Sequence, residues 1–175
     1  MNKQLYLICG LMLVLFSFSF NVFAQQEKGD VQMQASLSLT SSSSSGTTTS
    51  SYSASYSVSK FFTKNAELGI SYILGGGSGS SYNFVSPFFN LNLLSKNGRF
   101  VFYTGAQYLL SSQKFGEMKT LSGGVGVKAG IRSYVSKNIF YFVGPNLTFL
   151  PEGSTQFDLT AGIGVLFKKT KDADL

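Results

Sequence analysis

The feature that most constrains this chain is a long stretch of alternation near its C-terminal end, at residues 155–168. Every second position in it is apolar: Phe157, Leu159, Ala161, Ile163, Val165 and Phe167. The positions between them are polar or glycine, with Leu166 as the exception. Because successive side chains of a strand point to opposite faces, the pattern predicts a strand with one apolar face. A strand in a water-soluble domain usually has about five or six residues, whereas a tilted strand across a bilayer needs about 9–11. The length therefore favours an apolar face that meets lipid.

Seven further segments show the same alternation. Strands in lipid cannot leave backbone groups unpaired, so they cross a membrane as a closed barrel. The predicted strands are residues 31–40, 52–60, 67–74, 82–94, 99–110, 121–132, 139–149 and 155–168. We therefore predict an all-β fold, an eight-stranded antiparallel up-and-down transmembrane β-barrel in which the last strand pairs with the first.

The connections between the predicted strands fall into two classes that alternate along the chain. Those after the first, third, fifth and seventh strands are polar and mostly rich in Ser and Gly, and we expect flexible loops at residues 41–51, 75–81 and 111–119. The others contain Lys-Asn, at residues 64–65, 96–97 and 137–138. Such alternation is typical of a membrane barrel with short periplasmic turns and variable outer loops. Pro87 lies inside the fourth strand, where we expect a bulge or bend because proline removes a ladder donor.

The N-terminal residues have the pattern of a targeting segment. Lys3 precedes an apolar run at residues 5–20, and Val22-Phe23-Ala24 matches a cleavage site. We predict a cleaved signal peptide at residues 1–24 and a barrel domain at residues 25–175. A membrane anchor is the alternative, but the run is short for a transmembrane helix. Cleavage would also remove Cys9, the one cysteine of the chain.

Composition limits the function. Charged residues make up 13% of the chain, about half the usual share. Lys and Arg number 14 against 8 Asp and Glu, an excess that suits acidic head groups better than nucleic acid. The chain has no His, so its serines lack the usual general base, and we predict no enzymatic activity, cofactor or metal. The glycines at residues 124–130 depart from G-x-G-x-x-G, and we interpret them as relief of crowding inside a narrow barrel.

Two groups of aromatic residues lie near the strand ends, where a ring with one wet edge is favoured at a membrane interface. Near the loops we expect a girdle of Tyr52, Tyr82, Tyr108, Phe149 and Phe157. Near the turns we expect a second girdle of Phe100, Tyr134, Phe140 and Phe167.

Together these features resemble the small eight-stranded outer-membrane β-barrel proteins of Gram-negative bacteria, the outer-membrane β-barrel domain family. The resemblance rests on the signal peptide, the eight segments, the Lys-Asn turns and the aromatic end of the last strand, and it covers nearly all of residues 25–168. It implies a location in the outer membrane, contact with outer-membrane lipid and lipopolysaccharide, and insertion by the barrel-assembly machinery. No nucleic-acid partner is expected, and the sequence identifies no extracellular ligand.

Three functions remain open. The first is a non-enzymatic integral outer-membrane protein with a structural or adhesive role through its Ser/Gly-rich outer loops. The second is a narrow pore or transporter for small solutes, favoured by the inward Gly and Ser residues, although side chains nearly fill an eight-stranded barrel. The third is a soluble secreted lipocalin-like binding barrel, which would place its apolar residues inside.

Four charged residues are predicted to face the lumen: Glu67, Lys128, Arg132 and Asp158. A charge in a narrow interior is costly unless it is paired. Glu67 begins the third strand and Arg132 ends the sixth, both near the Lys-Asn turns, so we predict a contact between them across the lumen. Lys128 lies further up the sixth strand and is a candidate bridge to Asp158. We expect this network to act as a polar plug; the alternative is that the charges contact trapped water.

Overall fold

A computed structural model describes residues 26–44, 47–77, 80–95, 99–115 and 118–169. The strands are β1 (Val31–Ser44), β2 (Thr47–Thr63), β3 (Ala66–Gly77), β4 (Ser80–Leu94), β5 (Phe100–Phe115), β6 (Met118–Tyr134), β7 (Ile139–Phe149) and β8 (Thr155–Phe167). They form a closed barrel in chain order, with every neighbouring pair antiparallel and β8 paired with β1. The predicted eight-stranded up-and-down barrel is confirmed. The predicted signal peptide and the predicted turn at residues 96–98 lie outside the described residues.

Helical structure has a small part in this fold. A 3-10 turn, Pro151–Gly153, precedes β8. In the described ranges, no helix is long and apolar enough to cross a bilayer.

The strands are staggered around the barrel. Following paired residues from Gln32 through each neighbouring strand in turn leads back to β1 at Ser42, ten residues further along. In a barrel of eight strands this stagger corresponds to a strand tilt of about 40°. The tilt determines which inward side chains of different strands lie at the same depth.

The apolar side of each strand faces outward. On β8, Phe157, Leu159, Ile163 and Phe167 are 48%, 42%, 44% and 50% exposed. From the first to the last of these the strand runs about 33 Å, or about 25 Å along the barrel axis at this tilt. That is the height of the apolar band of membrane barrels. The lipocalin-like alternative is excluded, because it requires the apolar residues inside.

Two hairpins continue beyond the loop-side edge of this band. β1 and β2 stay paired up to Ser44 and Thr47, and β5 and β6 up to Phe115 and Met118. The expectation of loops at residues 41–51 and 111–119 is therefore wrong for the residues that the structure describes there. The same holds for the loop expected at residues 75–81, where β3 and β4 remain paired as far as Gly77 and Ser80. A Ser/Thr tract cannot form a core, but a hairpin that extends an existing ladder does not need one, and Thr favours extended backbone.

Pro87 does not produce the expected bulge. Val85 pairs with Leu110 and Phe88 with Gln107, which is one unbroken register with β5 in which only the intervening pairs are missing. The missing proline N–H thus removes local pairing without displacing the strand. The ring of Pro87 is exposed and points outward, so it does not interfere with the backbone hydrogen bonds of the neighbouring strands.

Candidate functional site

The lumen contains a buried ion pair between β3 and β6. Arg132 Nη2 donates to Glu67 Oε1 at 2.5 Å, and the two side chains are 1% and 0% exposed. Three strand steps separate β3 from β6, so the pair spans the lumen. The structure thus brings together two of the four charged residues that the sequence placed inside.

Three other strands donate hydrogen bonds to the Glu67 carboxylate. Asn90 Nδ2 of β4 donates to Oε1, the oxygen that Arg132 contacts. Ser59 Oγ of β2 and Gln32 Nε2 of β1 each lie 3.3 Å from Oε2. A buried charge costs several kcal/mol unless such bonds satisfy it, so these donors make the site tenable for a carboxylate. The alternation had placed Gln32 and Asn90 on the inner face, and this was the signal that could have linked them to Glu67.

Arg132 is held from several sides as well. Its Nη1 donates to Asn92 Oδ1 at 2.7 Å. Its guanidinium carbon lies 4.7 Å from the centre of the Tyr103 ring and 5.7 Å from that of Phe140. A planar guanidinium can bond a carboxylate and stack on rings at the same time, which a lysine ammonium cannot do.

An apolar layer fills the lumen between the ion pair and the turns. Its members, each 0% exposed, are Phe61, Val101, Tyr134, Phe140 and Leu166. The expectation that Tyr134 and Phe140 belong to a lipid-facing girdle is wrong, and so is that for Tyr82, which lies inside the barrel. Tyr134 is two residues from Arg132 and therefore points inward, as Arg132 does. The centres of the Tyr134 and Phe140 rings lie 5.1 Å apart. Leu166, the exception in the alternation of β8, occupies an inward position of that strand and is 0% exposed.

The chain before β1 covers this layer from the turn side. Gln26 Nε2 donates to the Tyr134 hydroxyl at 2.8 Å. Asp30, 1% exposed, accepts from Lys168 Nζ at 3.1 Å and from the Lys169 backbone N–H at 3.0 Å. The bonds of Asp30 join the segment before β1 to the segment after β8, at the turn end of the barrel where these two strands pair.

The other two predicted lumen charges do not form the expected bridge. Lys128 Nζ lies 3.5 Å from the centre of the Phe88 ring. Asp158 accepts from Thr40 Oγ1 at 2.5 Å and from Gln156 Nε2 at 3.0 Å. Within the described residues, neither of the two ion pairs involves Lys128 or Asp158.

A small polar cavity lies on the loop side of the ion pair, with a volume of about 70 Å³. Its lining includes hydroxyl groups that bond across strands, as Ser36 and Ser55 do at 2.6 Å and Ser38 and Thr160 at 2.7 Å. This volume suits a few water molecules and is far below the roughly 300–1,000 Å³ of a small-molecule site. In the described part of the chain, no three His, Cys, Asp or Glu side chains are grouped to hold a metal.

Comparison with known proteins identifies the architecture. No family model and no curated protein matches the sequence. Among solved structures, Neisserial surface protein A has a TM-score of 0.66 at 17% identity, over 79% of this chain and 99% of that one. The N-terminal β-barrel domain of OprF from Pseudomonas aeruginosa has a TM-score of 0.60 at 15% identity, over 81% and 100%. The fold is that of the small eight-stranded outer-membrane β-barrels.

A third outer-membrane barrel is similar over the same length. Ail, the attachment invasion locus protein of Yersinia pestis, has a TM-score of 0.56 at 13% identity, over 80% of this chain and 99% of that one. Identities this low establish the outer-membrane barrel fold alone. The fold supports a location in the outer membrane.

Proposed function

We propose that this chain is a non-enzymatic integral outer-membrane protein whose barrel is a closed anchor and whose activity is an adhesive contact made by its outer hairpins. The observation that carries the proposal is the occluded lumen. Glu67, Arg132 and Asn90 are at most 2% exposed, and the apolar layer beneath them is 0% exposed. A lumen closed by these two layers offers no path to a solute, which weighs against the narrow-pore alternative.

The outer end of the barrel has the chemistry of a contact surface. Beyond the apolar band, the β1–β2 hairpin at residues 41–44 and 47–51 consists of Ser and Thr. Hydroxyl groups both donate and accept hydrogen bonds, so such a surface suits a polar, hydroxyl-rich partner. Ail, which shares the fold, has been crystallised in complex with the heparin analogue sucrose octasulfate. This supports a glycan as the partner class for the hairpins.

The remaining partners follow from the location. We propose that residues 1–24 direct export and are removed, that the barrel-assembly machinery inserts the chain, and that lipopolysaccharide surrounds the outer hairpins. The absence of His from the chain supports a role without catalysis.

Adhesion of cells that display the protein tests the proposal. The variant replaces residues 42–49 by Asn-Gly, which removes the hydroxyl surface and keeps a tight hairpin. The matched control is Lys137→Gln at the opposite end of the barrel. We expect the shortened hairpin to lose binding to glycan-coated surfaces while the control keeps it. Equal binding by all three proteins would contradict an adhesive role for this hairpin.

A further inference from the structure

A basic concavity lies on the outer face at the turn end of the barrel, beside the start of β1. Its lining residues are Lys28, Gly29, Lys60, Phe61, Phe62 and Lys169. Three of these are lysines and none is acidic. We call these six lining residues the basic concavity.

Three separate segments deliver its lysines. Lys60 faces outward on β2 and pairs with Val31, which in turn pairs with Phe167 at the end of β8. Lys169 follows β8, and its side chain crosses Gly29 so closely that a Cβ there would lie 3.0 Å from Lys169 Cδ. Gly29 N donates to Phe61 O at 2.7 Å, which holds the neighbouring Lys28 against β2. The lysines therefore meet because the fold places them together, although like charges repel.

The nearby acidic groups do not neutralise this cluster. Asp30 accepts from Lys168 Nζ at 3.1 Å and from the backbone N–H of Glu27 at 2.9 Å and of Lys169 at 3.0 Å. The exposed side chain of Glu27 is not part of the lining. In the described residues, neither ion pair includes Lys28, Lys60 or Lys169. Among the described residues, the basic concavity thus has a net positive charge that an anion can balance.

The position of the basic concavity relative to the membrane limits the kinds of anion that it can bind. Phe62 and Phe167, each 50% exposed, mark the turn-side edge of the apolar band. Lysine stems lie along apolar surface while the ammonium groups stay at the interface, where they attract anionic lipids. A ligand in the basic concavity contacts positive charge and an exposed aromatic ring together. An anionic head group with an acyl chain can contact both, whereas a free anion can contact only the positive charge.

We propose that the basic concavity binds the phosphate of an anionic glycerophospholipid in the periplasmic leaflet, with the acyl chains against Phe62. This site lies at the end of the barrel opposite the adhesive hairpins and does not depend on their function.

Native mass spectrometry of the full mature barrel, released from micelles containing phosphatidylglycerol or phosphatidylcholine, tests the proposal. The test variant is Lys28→Gln/Lys60→Gln, and the matched control is Lys64→Gln/Lys137→Gln, which removes two exposed turn lysines outside the basic concavity. We expect the native protein to retain phosphatidylglycerol selectively. The test variant should bind it about 25-fold more weakly, roughly five-fold for each lysine. The control should bind like the native protein. Heat-dependent gel migration checks that each barrel is folded, and Lys28→Gln alone serves if the double variant does not fold.

Two further measurements separate a lipid from a free anion. Phe62→Ala should weaken phosphatidylglycerol retention, and 10 mM inorganic phosphate should not displace the lipid, because phosphate has no apolar part. The proposal fails if the control loses as much lipid as the test variant, or if phosphatidylcholine is retained equally. It also fails if inorganic phosphate displaces the lipid while Phe62→Ala has no effect.

Discussion

Glu67 and Arg132 place two opposite charges inside the lumen, where their side chains are 0% and 1% exposed. Their attraction alone does not guarantee stability, because removing both charges from water costs several kcal/mol each. The hydrogen bonds from Asn90, Ser59 and Gln32 to the carboxylate offset part of this cost. The pair is therefore far more sensitive to losing one partner than to losing both.

Replacing Glu67 by Gln should destabilise the folded barrel by about 3 kcal/mol, because Arg132 would stay buried without a counter-charge. The control is Glu27→Gln, since Glu27 is exposed. Urea unfolding in micelles measures both. Equal effects of the two substitutions on the free energy of unfolding would show that the buried pair stabilises the barrel no more than an exposed carboxylate does.

The double variant Glu67→Leu/Arg132→Met should recover most of the stability lost in Glu67→Gln, because apolar residues of similar volume can replace a buried pair at little cost. The same unfolding assay applies. A double variant as unstable as the single one would mean that this layer requires the charges themselves.

Tyr103 of β5 shows how neighbouring elements fit together inside the barrel. Its ring reaches over β6 and β7, where it lies against two inward glycines, Gly130 and Gly144. Glycine leaves the space that a large ring then fills, which is how a narrow barrel holds aromatic residues without voids. A side chain at Gly144 would also meet the backbone carbonyl of Ala129.

Gly144→Ala should lower the free energy of unfolding by about 2 kcal/mol, because the backbone of β6 would have to move. Gly126→Ala is the matched control. Its Cβ would meet side chains, Thr148 Oγ1 at 2.8 Å and Gln107 Cγ at 3.0 Å, which can shift. We expect the control to change stability by less than about 1 kcal/mol. If the two variants are equally stable, close packing of β6 against β7 is not what requires glycine at position 144.

Most of the elements could be predicted from the sequence, because alternation identifies the face of each residue. The alternation predicts β7 at residues 139–149, and the strand has these bounds. Alternation does not reveal where the pairing of two strands ends, so the sequence predicts a loop where β1 and β2 form a Ser/Thr hairpin. Nor does it reveal depth, which depends on the stagger between strands. The Glu67–Arg132 contact could be anticipated because both residues adjoin turns, whereas the surroundings of Lys128 and Asp158 could not.

The molecule as a whole is divided along its axis into regions of different chemistry. Outside, an apolar band of about 25 Å meets the membrane. Inside, a hydroxyl-lined cavity on the loop side gives way to the ion pair, and then to the apolar layer around Phe61 and Phe140. The N-terminal segment from Gln26 to Asp30 covers that layer from below. The two layers together occlude the lumen, which supports the proposed role of the barrel as a closed anchor.

Planar-bilayer conductance of the purified protein tests the closed anchor most directly. We expect the native barrel to insert without a steady channel. A Glu67→Ala/Arg132→Ala/Tyr134→Ala/Phe140→Ala variant, with its folding verified by heat-dependent gel migration, serves as the positive control, because truncating both layers should admit ions. A silent native protein beside a conducting variant is the predicted result, whereas a steady opening of the native protein would contradict the closed lumen.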